Sequence, residues 1–226
     1  MKKPTVTLSA FLALGVLSMS SLRADYTVPI ADPPFSLGKS IIGIEGWEHR
    51  VDAHKNEDAA RLARVRWDEG RPAIILSGAS IKNDFPKTEG SKARVSLRVA
   101  FLFPQANIEL QQFRLLIGGA PFPEIVFQSN KDGGLGIGDG TGRKMDVLVP
   151  YSEVKSRSYY TLTVLVDYDQ MAYDVTISGV KADGSPLNFE RKGVGFESTN
   201  PGMQGMAIIT ANSVRSYISQ LSIESL

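Results

Sequence analysis

The chain has no cysteine among its 226 residues. Disulfides, thiolate metal sites and cysteine nucleophiles are therefore excluded, and so is a lipoprotein-type export signal, which needs a cysteine at its cleavage point. Histidine is scarce, with only His49 and His54. A serine-hydrolase triad would have to recruit one of them, and the elbow Gly-x-Ser-x-Gly does not occur. An excess of one charge is also missing, since 25 basic residues face 24 acidic ones. Such a balance produces no long-range field, so nucleic acid and anionic membrane are not expected partners. Internal repeats and low-complexity blocks are absent. A single domain of this length buries roughly 70% of its unfolded surface and can be stable without covalent staples.

Long apolar runs are confined to the N-terminus. Met1-Lys2-Lys3 precedes an uncharged stretch from Pro4 to Leu22 whose apolar centre spans Ala10 to Leu17, and Arg23-Ala24 follows. Basic start, apolar middle and small-residue end read as a secretory signal peptide over residues 1–24, cleaved after Ala24, with Ser20 as the alternative point. An uncleaved anchor is the competing reading. The expected localisation is the periplasm or the exterior, with no membrane insertion after cleavage. Without Lys2, Lys3 and Arg23 the mature chain carries about 2 more acids than bases.

Residues 25–39, with Pro29, Pro33 and Pro34, form an extended lead-in to a domain over 40–226. The clearest strand is 94–101, where Val95, Leu97, Val99 and Phe101 alternate with Arg94, Ser96, Arg98 and Ala100. Tyr160, Leu162, Val164 and Val166 alternate in the same way, then turn through Asp169-Gln170 into a strand over 173–177, which predicts a hairpin. Further strands are expected at 40–45, 63–67, 73–77, 113–117, 124–128, 145–150, 206–211 and 216–225. The one helical competitor, 52–66, has good helix formers but a poor apolar stripe, so a loop is expected there. The sum is an all-β protein of two packed antiparallel sheets.

Three stretches add a resemblance. Ile42-Gly43-Ile44-Glu45-Gly46-Trp47, the pair Ser158 to Val164 and Tyr173 to Gly179, and the closing Val214 to Ile223 resemble the concanavalin A-like lectin/glucanase superfamily. The nearest likeness is to the laminin-G-like jelly-roll domains of exported bacterial proteins. This implies a concanavalin A-like jelly-roll sandwich and a noncatalytic, lectin-like carbohydrate-binding role. Glycoside hydrolases of that superfamily carry a Glu-x-Asp-x-x-Glu run, and its lyases a Gln-Ile-His element; the chain has neither.

The wet positions of the alternating strands supply the candidate ligand-binding residues: Arg94, Arg98, Arg114, Thr161 and Thr163. Arginine's fork pairs carboxylate or sulfate bidentately, so an acidic polysaccharide suits them. Trp47, Trp67, Tyr151 and Tyr159 are the aromatic residues to weigh for sugar stacking, with Trp47 read as packing. The glycine-rich stretch 132–142 reads as turn, short strand and turn, leaving calcium at Asp132 and Asp139 as its metal reading. His49, Asp52 and His54 form a second weak metal set. No other cofactor is expected. The competing functional classes are a structural or protein-interaction sandwich of the cell envelope and an enzyme of glucanase or lyase type.

Overall fold

Valine and leucine at every second position of residues 94–101 and 160–166 lie side by side in one sheet, Val95 against Val164 and Leu97 against Leu162. Their alternate neighbours face outward, which is what a period of two requires of a half-buried strand. The computed structural model describes residues 26–50, 63–84, 91–103, 112–118, 123–138, 144–197, 205–211 and 214–226. In chain order the strands are β1 (Tyr26–Thr27), β2 (Trp47–His49), β3 (Ala63–Asp68), β4 (Arg71–Ser77), β5 (Ser80–Asn83), β6 (Lys92–Leu102), β7 (Gln112–Ile117), β8 (Glu124–Gln128), β9 (Gly134–Gly138), β10 (Met145–Pro150), β11 (Tyr159–Asp167), β12 (Ala172–Val180), β13 (Pro186–Gly195), β14 (Met206–Ala211) and β15 (Arg215–Ser225). A 3-10 turn at Tyr151–Glu153 is the one helical segment among the described residues.

The first sheet runs β13-β12-β11-β6-β15-β4-β3, with β1 also paired to β15, and the second runs β10-β9-β8-β7-β14-β5-β2. All these pairings are antiparallel, and the architecture is the all-β jelly-roll sandwich. Between the sheets, Phe101 of β6 stacks on Phe127 of β8 with centroids 4.5 Å apart, and Phe113 of β7 meets it at 5.0 Å. Such pairs add about 0.5–1.5 kcal/mol each beyond their burial. Trp47 is fully buried and its indole nitrogen donates to the Tyr26 hydroxyl at 3.0 Å, as its packing role predicts.

Three local outcomes differ from the sequence reading. The strand expected at 40–45 is a turn, with Gly43, Glu45 and Gly46 at φ of 84°, 46° and 81°, and the chain becomes extended only at Trp47. Strands β5 and β13 have no counterpart among the expected elements; β13 (PLNFERKGVG) has too few apolar positions to show a clear alternation. From the lead-in, Tyr26–Thr27 pairs with β15, and Phe35 is buried in the core. Of the stretch 52–66 expected as a loop, residues 63–66 belong to β3 and 52–62 lie outside the described residues, as does the whole signal segment 1–24.

Within the glycine-rich stretch, Gly134–Gly138 form β9, and the second turn expected at 139–142 lies outside the described residues. A Cβ on Gly134 or Gly136 would run into the carbonyl oxygens of Val149 or Asp146 on β10, and one on Gly138 into the Glu124 carboxylate. Glycine is required because backbone and carboxylate come too close for any side chain.

Candidate functional site

On the outward face of the first sheet, Tyr159, Ala100 and Tyr217 stand in one row across β11, β6 and β15. The small central alanine leaves room for the two rings. Strand β4 pairs with β15 only over residues 215–218, and β1 takes β15 up again at Ser222 and Ile223. The tip of the β3–β4 hairpin is thus released from the sheet. Glu69 and Gly70 close it with φ of 46° and 79°, the two positive values a tight two-residue hairpin turn needs.

The released tip folds over the outward face. The Tyr159 hydroxyl donates to Asp68 Oδ2 at 2.6 Å, although β11 and β3 are four steps apart in the sheet order. Four steps in a flat sheet would be about 19 Å, far beyond a tyrosine's reach, so the tip must lean across. Arg157 Nη2 donates to the other oxygen of Asp68 at 3.1 Å, and its guanidinium lies 5.8 Å from the Tyr217 ring centre. Asp68 is only 5% exposed, so these two partners satisfy a carboxylate withdrawn from water.

Two further arginines converge on the same tyrosine. The Arg71 and Arg98 guanidiniums lie 5.1 and 4.8 Å from the Tyr159 ring centre. Both are held by the ring's negative face, and among the described residues neither has a carboxylate within ion-pair distance. Burial first, and then the hydrogen bond to Asp68, push the Tyr159 hydroxyl well above the usual tyrosine range, with Arg71 opposing. At neutral pH the phenol is protonated, and its proton is committed to Asp68. The arrangement is a neutral aromatic platform carrying two cations whose charge is open to a ligand. Ala73, Ile75 and Leu102 complete an apolar floor beside it. Trp67, next to Asp68, is 63% exposed.

Of the residues singled out by sequence, Arg94, Arg98, Thr161 and Thr163 share this outward face, with Thr161 opposite Arg98 and Thr163 opposite Ser96. Arg94 is already paired, its Nη1 donating to Glu224 Oε2 at 2.7 Å. Arg114 lies apart from them, on the outward side of the second sheet, where its Nε donates to Glu124. That glutamate is fully buried and the arginine side chain is 16% exposed, so the pair is an internal structural element. Of the residues read as metal candidates, Asp132 is exposed, and Asp139, Asp52 and His54 lie outside the described residues. Among the described residues no three His, Asp or Glu side chains gather as a metal would need.

Tyr159, Arg71, Asp68, Arg157 and Tyr217 belong to the site, and the sequence reading selects none of them as ligand-binding. Tyr159 enters it only as a stacking ring, and the one available signal is its place opposite small Ala100 beside inward-facing Tyr160. Nothing in local sequence marks Arg71, because its approach depends on the hairpin leaning over. Away from this face, a concavity of about 640 Å³ lies between the edge strands β10 and β13 and is lined by Ile137, Lys144, Met145, Arg191, Lys192 and Val194 among others. There Arg191 is paired with Asp146 at 3.3 Å and Lys192 with Glu190 at 3.1 Å, so most of its positive charge is neutralised.

No family model matches the chain, and no curated protein matches it. Among solved structures it is similar to peanut lectin, with 9% identity, a TM-score of 0.54, and coverage of 90% of this chain and 97% of that one. It is also similar to the basic winged bean lectin solved with Tn-antigen, with 7% identity, a TM-score of 0.53, and coverage of 89% and 98%. Lectin I-B4 from Griffonia simplicifolia matches with 9% identity and a TM-score of 0.50, over 88% and 98% of the two chains. At these identities the likeness is one of fold, the concanavalin A-like jelly roll.

Proposed function

We propose that the chain is an exported, noncatalytic binding module that holds an acidic carbohydrate on the outward face of its first sheet. The observation that carries this reading is the pair of arginines, Arg71 and Arg98, resting on Tyr159 without a carboxylate partner among the described residues. Guanidinium forks match carboxylate and sulfate groups, and aromatic faces accept the C–H faces of sugars. The jelly roll is an architecture that lectins use, which supports a carbohydrate as the bearer of those groups. A binding role fits better than catalysis. The Tyr159 hydroxyl donates to Asp68, which also accepts from Arg157, so both groups are engaged in holding the hairpin tip in place. Export rests on the N-terminal segment, which reads as a signal peptide.

A glycan array probed with the chain from residue 25 onward, beside Arg98→Ala and Arg71→Ala, tests the proposal. Wild type should bind acidic polysaccharides and not neutral ones, and each substitution should weaken binding by about tenfold or more. Equal binding by wild type and both variants would remove the site from consideration. Trp67, exposed beside the arginines, favours a protein partner as the second reading. Absence of any glycan binding would support that reading instead.

A further inference from the structure

Along β6 the sheet treats its outward cations unequally. Lys92 is paired with Asp167 at 2.9 Å and Arg94 with Glu224 at 2.7 Å, whereas Arg98 has no such partner among the described residues. The same holds, again among the described residues, at the opposite edge for Arg66 of β3, which is exposed and lies opposite Ala73. One end of the face is neutralised by its own side chains and the other keeps an excess of arginine, with Arg66, Arg71 and Arg98 contributed by β3, β4 and β6 against Glu69 of the hairpin turn. All three are arginine, although the chain as a whole is nearly balanced in charge.

We propose that these arginines form a track across the strands, so that the ligand is an internal stretch of a linear polyanionic polysaccharide and not a single acidic sugar. The inference rests on the carbohydrate reading above. Arg71 and Arg98 meet at one ring and can be engaged together by a short ligand. Arg66 lies two residues along β3 from Asp68, which Tyr159 holds, roughly 7 Å further along that strand, so a ligand seated at Tyr159 meets it only by extending beyond the Arg71–Arg98 pair. Each added acidic sugar that meets a further guanidinium binds as a linked second event, at high effective concentration.

The test is titration calorimetry with galacturonate oligomers from dimer to octamer, a sulfated dextran series, and neutral dextran as control. Affinity should rise at least about tenfold from dimer to the longer oligomers and then level off. Arg66→Ala should flatten that rise while leaving dimer binding unchanged, and Arg98→Ala should weaken every length. Arg66→Lys, which keeps the charge, should retain part of the length dependence and serves if the alanine variant folds poorly. Equal affinity for dimer and octamer, or an Arg66→Ala variant with an unaltered length profile, overturns the track while leaving the carbohydrate reading intact. No binding to any of the three series overturns both. The carboxylate and sulfate arms show which anionic group the track takes.

Discussion

Each sheet sets an arginine at an outward position, and the two sheets use it in opposite ways. Arg114 on the second sheet is turned onto Glu124, a carboxylate with no exposure, beside a strand stripped to glycine so that the carboxylate fits. Arg98 on the first sheet lies on an aromatic ring and faces no carboxylate among the described residues. Alternation places both residues outward, and it cannot say which will be consumed by the protein itself. What separates them is long-range: β8 brings Glu124 to Arg114 across the ladder, and the leaning hairpin tip brings Asp68 to Tyr159. The carboxylate that would neutralise the first face is engaged by Arg157 and Tyr159, which leaves Arg71 and Arg98 open.

The largest expected effect sharpens this contrast. Arg114→Ala removes the guanidinium from a buried carboxylate and should cost about 3–5 kcal/mol of stability, as breaking a buried ion pair does. Glu124→Ala should cost a similar amount. Arg98→Ala, which gives up one cation-π contact, should cost about 1 kcal/mol or less while acting mainly on binding. Urea denaturation of the three variants decides it. If Arg98→Ala proves as destabilising as Arg114→Ala, the first face is structural too and the comparison collapses.

A smaller effect separates the tyrosines through pH. Burial, the leading cause in each case, raises Tyr26 to about 12 and lifts Tyr159, Tyr168 and Tyr173 beyond the usual range as well. In the unfolded chain these phenols lose their protons near pH 10, while in the folded chain they keep them. The stabilisation is therefore fully present below about pH 10 and is lost as pH rises toward the folded values. Denaturation midpoints should be flat up to about pH 9 and fall beyond about pH 10, with absorbance from these four tyrosinates appearing only as the protein unfolds. Their absorbance rising in the folded protein near pH 10 would mean that these hydroxyls are exposed.

Much of the fold was legible because alternation is a local signal. Residues 94–101 and 160–166 mark two central strands of the first sheet, and the turn at Asp169-Gln170 marks the third. The turn at 40–46 was not legible, since apolar Ile42 and Ile44 suggest a strand while Gly43 and Gly46 take positive φ values just before buried Trp47. The outward phase of Arg98, Thr161 and Thr163 is legible from alternation. The places of Arg71 and Asp68 are not, because only the folding of the hairpin tip over the sheet brings them to Tyr159, and that depends on β4 parting from β15 where β1 takes its place.

The smallest effect concerns the two tyrosines that bracket β11. Tyr159 begins the strand and donates its hydroxyl to Asp68, whereas Tyr168 follows its end with a buried hydroxyl that has no hydrogen-bond partner among the described residues. The Tyr168 ring is well placed, meeting Phe196 edge-on at 5.8 Å, so the ring contributes packing and the oxygen carries an uncompensated desolvation cost. Tyr168→Phe keeps the ring and removes the oxygen, and should raise stability by about 1 kcal/mol. Tyr159→Phe removes a donor from a buried carboxylate and should lower it by about 1–3 kcal/mol. Opposite signs for the same chemical change, measured in parallel thermal melts, would show that the hydroxyl of Tyr159 is retained for what it holds in place. A loss on Tyr168→Phe would mean that its hydroxyl has found a partner, and the contrast between the two ends of the strand would fail.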